Sequence, residues 1–163
     1  MVCVVSRSVS IDTLIVDVPT IRPHVLAMAT MHSQSVVLVR IQADDGIQGI
    51  GEGTTIGGLS YGDESPEGIK LAIDTYIAPV LETCDISRVG ETMAKVRRHV
   101  VGNHIAKCAV ETALLDGAGK RLGVPVSELI GGGRVRDPFI HDGGDAAQAQ
   151  GIAQHKDRTQ RHR

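Results

Sequence analysis

The feature that most restricts the fold is a change of hydrophobic period near Ser65-Pro66. Before it, apolar residues alternate at every second position; after it they recur every three or four, so strands come first and helices follow as a block. Residues 11–18 are rich in β-branched side chains, with Leu14, Val16 and Val18 alternating against Thr13, Ile15 and Asp17, and this strand is expected to stop at Pro19. Residues 36–43 put Val37, Val39 and Ile41 on one face, with Arg40 and Gln42 at the wetter end of the other. Asp44-Asp45-Gly46 reads as a hairpin turn, where glycine reaches positive φ without steric cost, and residues 47–52 return as a third strand. The expectation is an α+β fold that opens with a three-stranded antiparallel meander.

Three to four helices should follow. Ser65 offers a cap, Pro66 the first helical position and Glu67 a charge near the positive helix end. Ile69, Ile73, Tyr76, Ile77 and Val80 form the apolar stripe of the first helix. A second begins near Asp85 or Ser87 and presents Ile86, Val89, Met93, Val96 and Val100 on one buried face. The third, residues 104–122, lines Ala106, Ala109, Ala113 and Gly117 along one side, so another element should approach it closely. Gly123 ends it, and residues 125–130 make a last short helix closed by Gly131-Gly132-Gly133.

Composition narrows the function. The formal charge of −2 and pI of about 6.4 give no basic field for nucleic acid, and Tyr61, Tyr76 and Phe139 are the only aromatic side chains in 163 residues. Cys3, Cys84 and Cys108 lie far apart and are odd in number, which fits reduced thiols. Neither a secretory signal nor a run of about 18 apolar residues is evident, so no membrane is expected and the cytoplasm is the expected place of work. Residues 141–163 hold no Leu, Val, Met or aromatic residue and cannot bury enough surface to fold independently.

Generic chemical motifs are weak. Gly46, Gly49, Gly51 and Gly53 sit in a hairpin strand, with Thr54 where a dinucleotide fingerprint would end in glycine, so turn and close-packing roles are expected of them. Gly119-Lys120-Arg121 lacks the rest of a phosphate loop. His99 and His104, five apart, fall on different faces of any helix spanning both, and no metal site is expected. The acids Glu52, Asp63, Glu64, Glu111 and Asp116 have no partner that sequence assigns; solvation, capping or ion pairing is expected of them rather than catalysis.

Three stretches together resemble the muconate and chloromuconate cycloisomerases of the enolase superfamily. The first is Pro19-Thr20-Ile21-Arg22-Pro23-His24 with Leu26-Ala27-Met28. The second, and most specific, is Gly51-Glu52-Gly53-Thr54-Thr55-Ile56-Gly57-Gly58-Leu59-Ser60-Tyr61-Gly62 running into Glu64-Ser65-Pro66-Glu67-Gly68-Ile69-Lys70. The third follows the wider mandelate racemase and muconate lactonizing enzyme signature through Ala106, Ala109, Glu111, Ala113, Leu114, Asp116, Lys120, Pro125, Leu129 and Gly131. Four departures stand out: Val25 where relatives often have Lys, Gly53 where Ala is usual, Gly117 within the third helix, and one extra glycine at 131–133.

The resemblance implies a capping domain over residues 1–137, and an unrelated, disordered tail over 138–163 that reads like the product of a shifted frame. In the family this domain covers a modified TIM barrel, whose two lysines and three acidic ligands for Mn²⁺ or Mg²⁺ convert cis,cis-muconate to muconolactone during catechol and β-ketoadipate degradation. Only 26 residues follow Asp137, against about 250 for a barrel, so the barrel and all catalytic and metal-ligating groups are expected to be absent. The loops at 20–31 and 54–62 would close over the substrate, with Ile56, Tyr61 and His24 as its pocket residues. A non-catalytic interaction module using the small-residue helix face, or another superfamily member such as a dipeptide epimerase or an o-succinylbenzoate synthase, are the alternatives; self-association is left open.

Overall fold

The computed structural model describes residues 6–27, 30–60 and 62–132. Three antiparallel strands, β1 (Ser8–Val25), β2 (Thr30–Ala43) and β3 (Gln48–Thr54), lie in the order β1-β2-β3. The Asp44–Gly46 hairpin is as expected: Gly46 adopts φ +82°, and the Gly46 amide donates to the Ala43 carbonyl at 3.1 Å.

β1 does not stop at Pro19. It continues to Val25 through an irregularity in register between the Pro19–Ser33 and His24–Met31 pairs. A proline is tolerated here because β1 is an edge strand, where a missing N–H breaks no ladder. The segment 20–31, expected as a loop, is therefore largely the end of a two-stranded ribbon. β3 ends opposite Val36, so this ribbon projects beyond the third strand.

The apolar alternation of β1 faces the opposite way from a simple core reading. Ile11 and Ile15 pack on the core, while Leu14 is 60% exposed and Val18 48%, on the outer face with Leu38 and Ile50. Val37, Val39 and Ile41 are buried as expected and form the floor of the core.

The helical block starts at α1 (Pro66–Ala72), where the Ser65 hydroxyl accepts from the Gly68 amide at 3.2 Å. A π-helical turn (Ile73–Ile77) and α2 (Ala78–Leu81) continue it. The wider turn keeps Ile69, Ile73, Ile77 and Leu81, each four residues on, in one phase, and all four are buried. Tyr76, expected on the stripe, falls out of phase and is exposed. Each buried aliphatic side chain of this kind contributes about 1.5–3 kcal/mol.

The next helix, α3 (Val89–His99), begins later than expected, because Asp85 makes a turn first, accepting from the Ser87 amide and hydroxyl. Met93, Val96 and Val100 are buried as the spacing predicted.

Then α4 (His104–Leu122) ends at Gly123, φ +68°, and α5 (Val126–Leu129) follows. The small side of α4 is met by β3. A Cβ on Gly49 would lie 2.0 Å from the Ala113 carbonyl oxygen, and one on Gly51 would lie 2.1 Å from that of Ala109. Strand and helix backbones thus touch, which explains both the alternate glycines of β3 and the Ala/Gly side of α4. This side is consumed inside the fold, so it is not available to a second protein.

Both sheet edges carry a helix-borne Lys–Asp pair. Asp116 accepts from the Ile50 amide at 2.8 Å, Lys120 donates to the Gln48 carbonyl at 2.8 Å, and the two side chains pair at 2.7 Å. On the β1 edge, Lys70 donates to the Thr13 carbonyl at 3.1 Å and pairs with Asp74 at 2.7 Å. These bonds occupy edge groups that would otherwise invite another strand.

Candidate functional site

Gly49 lies against Ala113 and Gly117, whereas Gly53 lies against Ile105, so α4 runs antiparallel to β3 and its N-terminus sits where β3 ends. Three segments consequently lie toward one end of the unit: the projecting β1–β2 ribbon, the loop that follows β3 and the α3–α4 corner at 100–103. This end is unusually apolar for a surface, with Ile21 99%, Val25 74%, Leu59 67% and Val101 89% exposed.

The predicted pocket residues are placed unequally. His24 is half-buried near the ribbon's far end, opposite Met31. Ile56 is 41% exposed at the start of the loop, ahead of a 3₁₀ turn at Gly58–Ser60. Tyr61 lies outside the described residues. The structure sets Ile56 and His24 on neighbouring segments of the same end.

Two residues organise the loop. At its first stem the Gln34 side-chain amide donates to the Thr54 hydroxyl and, at 2.6 Å, to the Thr55 carbonyl; the Thr54 hydroxyl in turn donates to the Ser35 carbonyl at 2.9 Å. At its second stem the carboxylate of Glu64, which is buried, accepts from the amides of Ile105 at 2.8 Å and Ala106 at 3.1 Å. Asn103, which precedes α4, adopts φ +51° and its side chain bonds the Val101 carbonyl, so the cap of this 19-residue helix comes from Glu64. In the sequence Glu64 stood within the second family-like stretch and among acids with no assigned partner, and Gln34 carried no signal, since both act on backbone groups distant in sequence.

Two other candidate acids, Glu111 and Asp116, serve the scaffold. Glu111 pairs with Arg97 at 3.0 Å across α3 and α4, and Asp116 guards the β3 edge. Away from the apolar end, Arg121 bonds Asp45 at 2.6 Å and the Ser6 hydroxyl at 3.1 Å. The Arg121 hydrogen bond, helped by the Ile47 amide, holds the Asp45 carboxyl below its ordinary range. Burial would raise Asp85, but hydrogen bonds from Ser87 and the Ser6 amide, with Arg88 nearby, outweigh it and lower that carboxyl too.

Among the described residues no three His, Cys, Asp or Glu side chains are grouped to hold a metal. The described side chains therefore do not fit a divalent-metal centre.

Comparison with known proteins decides the family. The model for the mandelate racemase / muconate lactonizing enzyme N-terminal domain matches residues 10–131. The chain belongs to this family. It is 60% identical over 128 residues to muconate cycloisomerase 1-2 of Acinetobacter lwoffii, covering 78% of this chain and 33% of that protein. It is 51% identical over 159 residues to muconate cycloisomerase 1 of Pseudomonas putida, covering 94% of this chain and 42% of that protein, an alignment that reaches past residue 137. The solved muconate lactonizing enzyme of Pseudomonas fluorescens, complexed with muconolactone, superposes with a TM-score of 0.78 at 56% identity, over 82% of this chain and 36% of that one. The chain thus spans about a third of the length of the first curated relatives it matches. The fold is that of an enolase-superfamily N-terminal domain, and no barrel is present among the described residues.

Proposed function

We propose that this chain is the substrate-capping part of a muconate cycloisomerase, acting in the conversion of cis,cis-muconate to muconolactone. The observation that carries this reading is the apolar end toward which the ribbon, the loop that follows β3 and the α3–α4 corner lie. A surface of that kind excludes water and is suited to lie over a reacting centre supplied by other residues. Ile56 and Tyr61 would shape the pocket wall, and His24, on the ribbon, would contribute a polar contact to a carboxylate. The Mn²⁺ or Mg²⁺ and the proton-transferring groups would come from the remainder of the enzyme. The free thiols of Cys84 and Cys108 are in keeping with a cytoplasmic setting, and self-association would involve surfaces other than the small side of α4.

The test has two arms. The 163-residue chain is assayed with Mn²⁺ for loss of the diene's ultraviolet absorbance, and a hybrid joining residues 1–131 to the remainder of the Pseudomonas putida relative is assayed in parallel. No turnover by the chain and muconate turnover by the hybrid are expected. Turnover by the chain alone, or a folded hybrid that acts on dipeptides and not on muconate, would overturn the reading.

A further inference from the structure

Within the described part of the 55–63 loop the Ser60 amide donates to the Gly57 carbonyl at 3.2 Å, closing a single 3₁₀ turn. Gly57 and Gly58 adopt φ of +63° and +62°, Ile56 and Leu59 face solvent, and the Thr55 hydroxyl is buried with no hydrogen-bond partner among the described residues. A segment built this way holds a fixed shape only if its ends are held. Gln34 fixes the first stem to β2, at the base of the ribbon that carries His24. Glu64 fixes the second to the first turn of α4, where two amides and the helix's positive end favour a carboxylate.

We propose that Gln34 and Glu64 are positioning residues that tie the 55–63 loop to the β1–β2 ribbon and to α4, so that the two segments assigned to the substrate keep one geometry and shift together. Gln34 is the link between them: its single side-chain amide reaches from the ribbon strand to the loop's first carbonyl. Glu64 sets the distance of the loop's other end from α4, whose backbone is locked on β3. The part of this inference that concerns substrate rests on the capping role proposed above; the tether itself does not.

Hydrogen exchange of the 163-residue chain, without ligand, reads the tether directly. Glu64→Ala is expected to speed exchange at Ile105, Ala106 and across the loop by about tenfold, and Gln34→Ala to do so in the loop's first half, with β2 and β3 core amides unchanged. Glu64→Gln keeps one acceptor oxygen and should fall between, which guards against a misfolded alanine variant. Loop amides that exchange at the wild-type rate in both Gln34→Ala and Glu64→Gln would overturn the proposal. In the hybrid, Gln34→Ala should raise KM for muconate about three- to tenfold while kcat changes less than twofold, as expected for a lost binding geometry. Unchanged KM in an active hybrid also overturns it, whereas a hybrid inactive on muconate sinks the capping reading and leaves the exchange result to decide the tether.

Discussion

Gly51→Ala is the sharpest probe of why this sequence folds as it does. The added Cβ would stand 2.1 Å from the Ala109 carbonyl oxygen and 2.7 Å from the Ala113 amide nitrogen. Both are backbone atoms of a helix pressed on the sheet, so no rotamer change makes room. To restore ordinary contact α4 must retreat by more than about 1 Å, and overpacking of this kind costs about 1–3 kcal/mol. The retreat also stretches the bonds from Asp116 to the Ile50 amide and from Lys120 to the Gln48 carbonyl, at about 1 kcal/mol each. Together these give roughly 3–5 kcal/mol, a large part of a domain's usual 5–15 kcal/mol. The melting temperature, followed by far-ultraviolet circular dichroism, should fall by on the order of 10–20 °C. Gly53→Ala is the internal control. Its nearest obstacles are the Ile105 Cγ2 at 3.1 Å and the Ala109 Cβ at 3.3 Å, so a side chain can yield, and the loss should stay under about 1 kcal/mol. A Gly51→Ala chain melting within about 3 °C of wild type, or above Gly53→Ala, would refute the backbone-contact argument.

Further outcomes follow from the same geometry. Gly117→Ala should stabilise by about 0.5–1 kcal/mol in urea unfolding, since its Cβ meets Gly49 Cα at an ordinary 3.8 Å and a helix-interior glycine is replaced. Asp116→Ala, which releases both Lys120 and the Ile50 amide, should cost about 1 kcal/mol, the exposure of the pair keeping the loss small, and should speed exchange at Ile50 specifically. Asp45 and Asp85 have folded-state pKa values below 3.8, so their contribution is complete above that value and is lost as pH falls through the folded values. The melting temperature should therefore be flat down to about pH 5 and drop below about pH 4; Asp85→Asn should melt lower at neutral pH and show a shallower acid decline, and an unchanged acid slope would count against this assignment.

Local signals carried much of the fold. The switch of period at Ser65-Pro66, the Ser65 cap, the Gly46 turn and the span of α4 to Gly123 all depend on neighbours within a few residues, and each lies where the pattern put it. Where the pattern misled, a partner from elsewhere in the chain decided the matter. Pro19 marks a strand end only if the strand is internal, and β1 is an edge. Leu14 and Val18 look like core residues until β1 is seen to turn Ile11 and Ile15 inward. Tyr76 matches an α-helical stripe but leaves it because the helix widens into a π turn. The glycines of β3 and the alanines of α4 were each legible as sites of close approach, yet nothing local says that they approach one another. The candidate site was legible as two family-like stretches, while its supports were not: Glu64 acts on amides 41 and 42 residues away, and no spacing rule links them.

The Lys–Asp pairs on the two margins of the sheet have a consequence for the fate of this segment in isolation. Strand addition needs a row of vacant backbone groups on an outermost strand. Here Lys120 and Asp116 fill two on β3, Lys70 fills one on β1, and Pro19 and Pro23 remove two donors from the rest of β1. A sheet finished in this way resists seeding fibres when it is made without its neighbours, whether by cleavage or by incomplete synthesis. Sticking, where it occurs, is directed instead to the apolar end and to the outer sheet face of Leu14, Val18, Leu38 and Ile50, as association through side chains rather than open-ended growth through backbone.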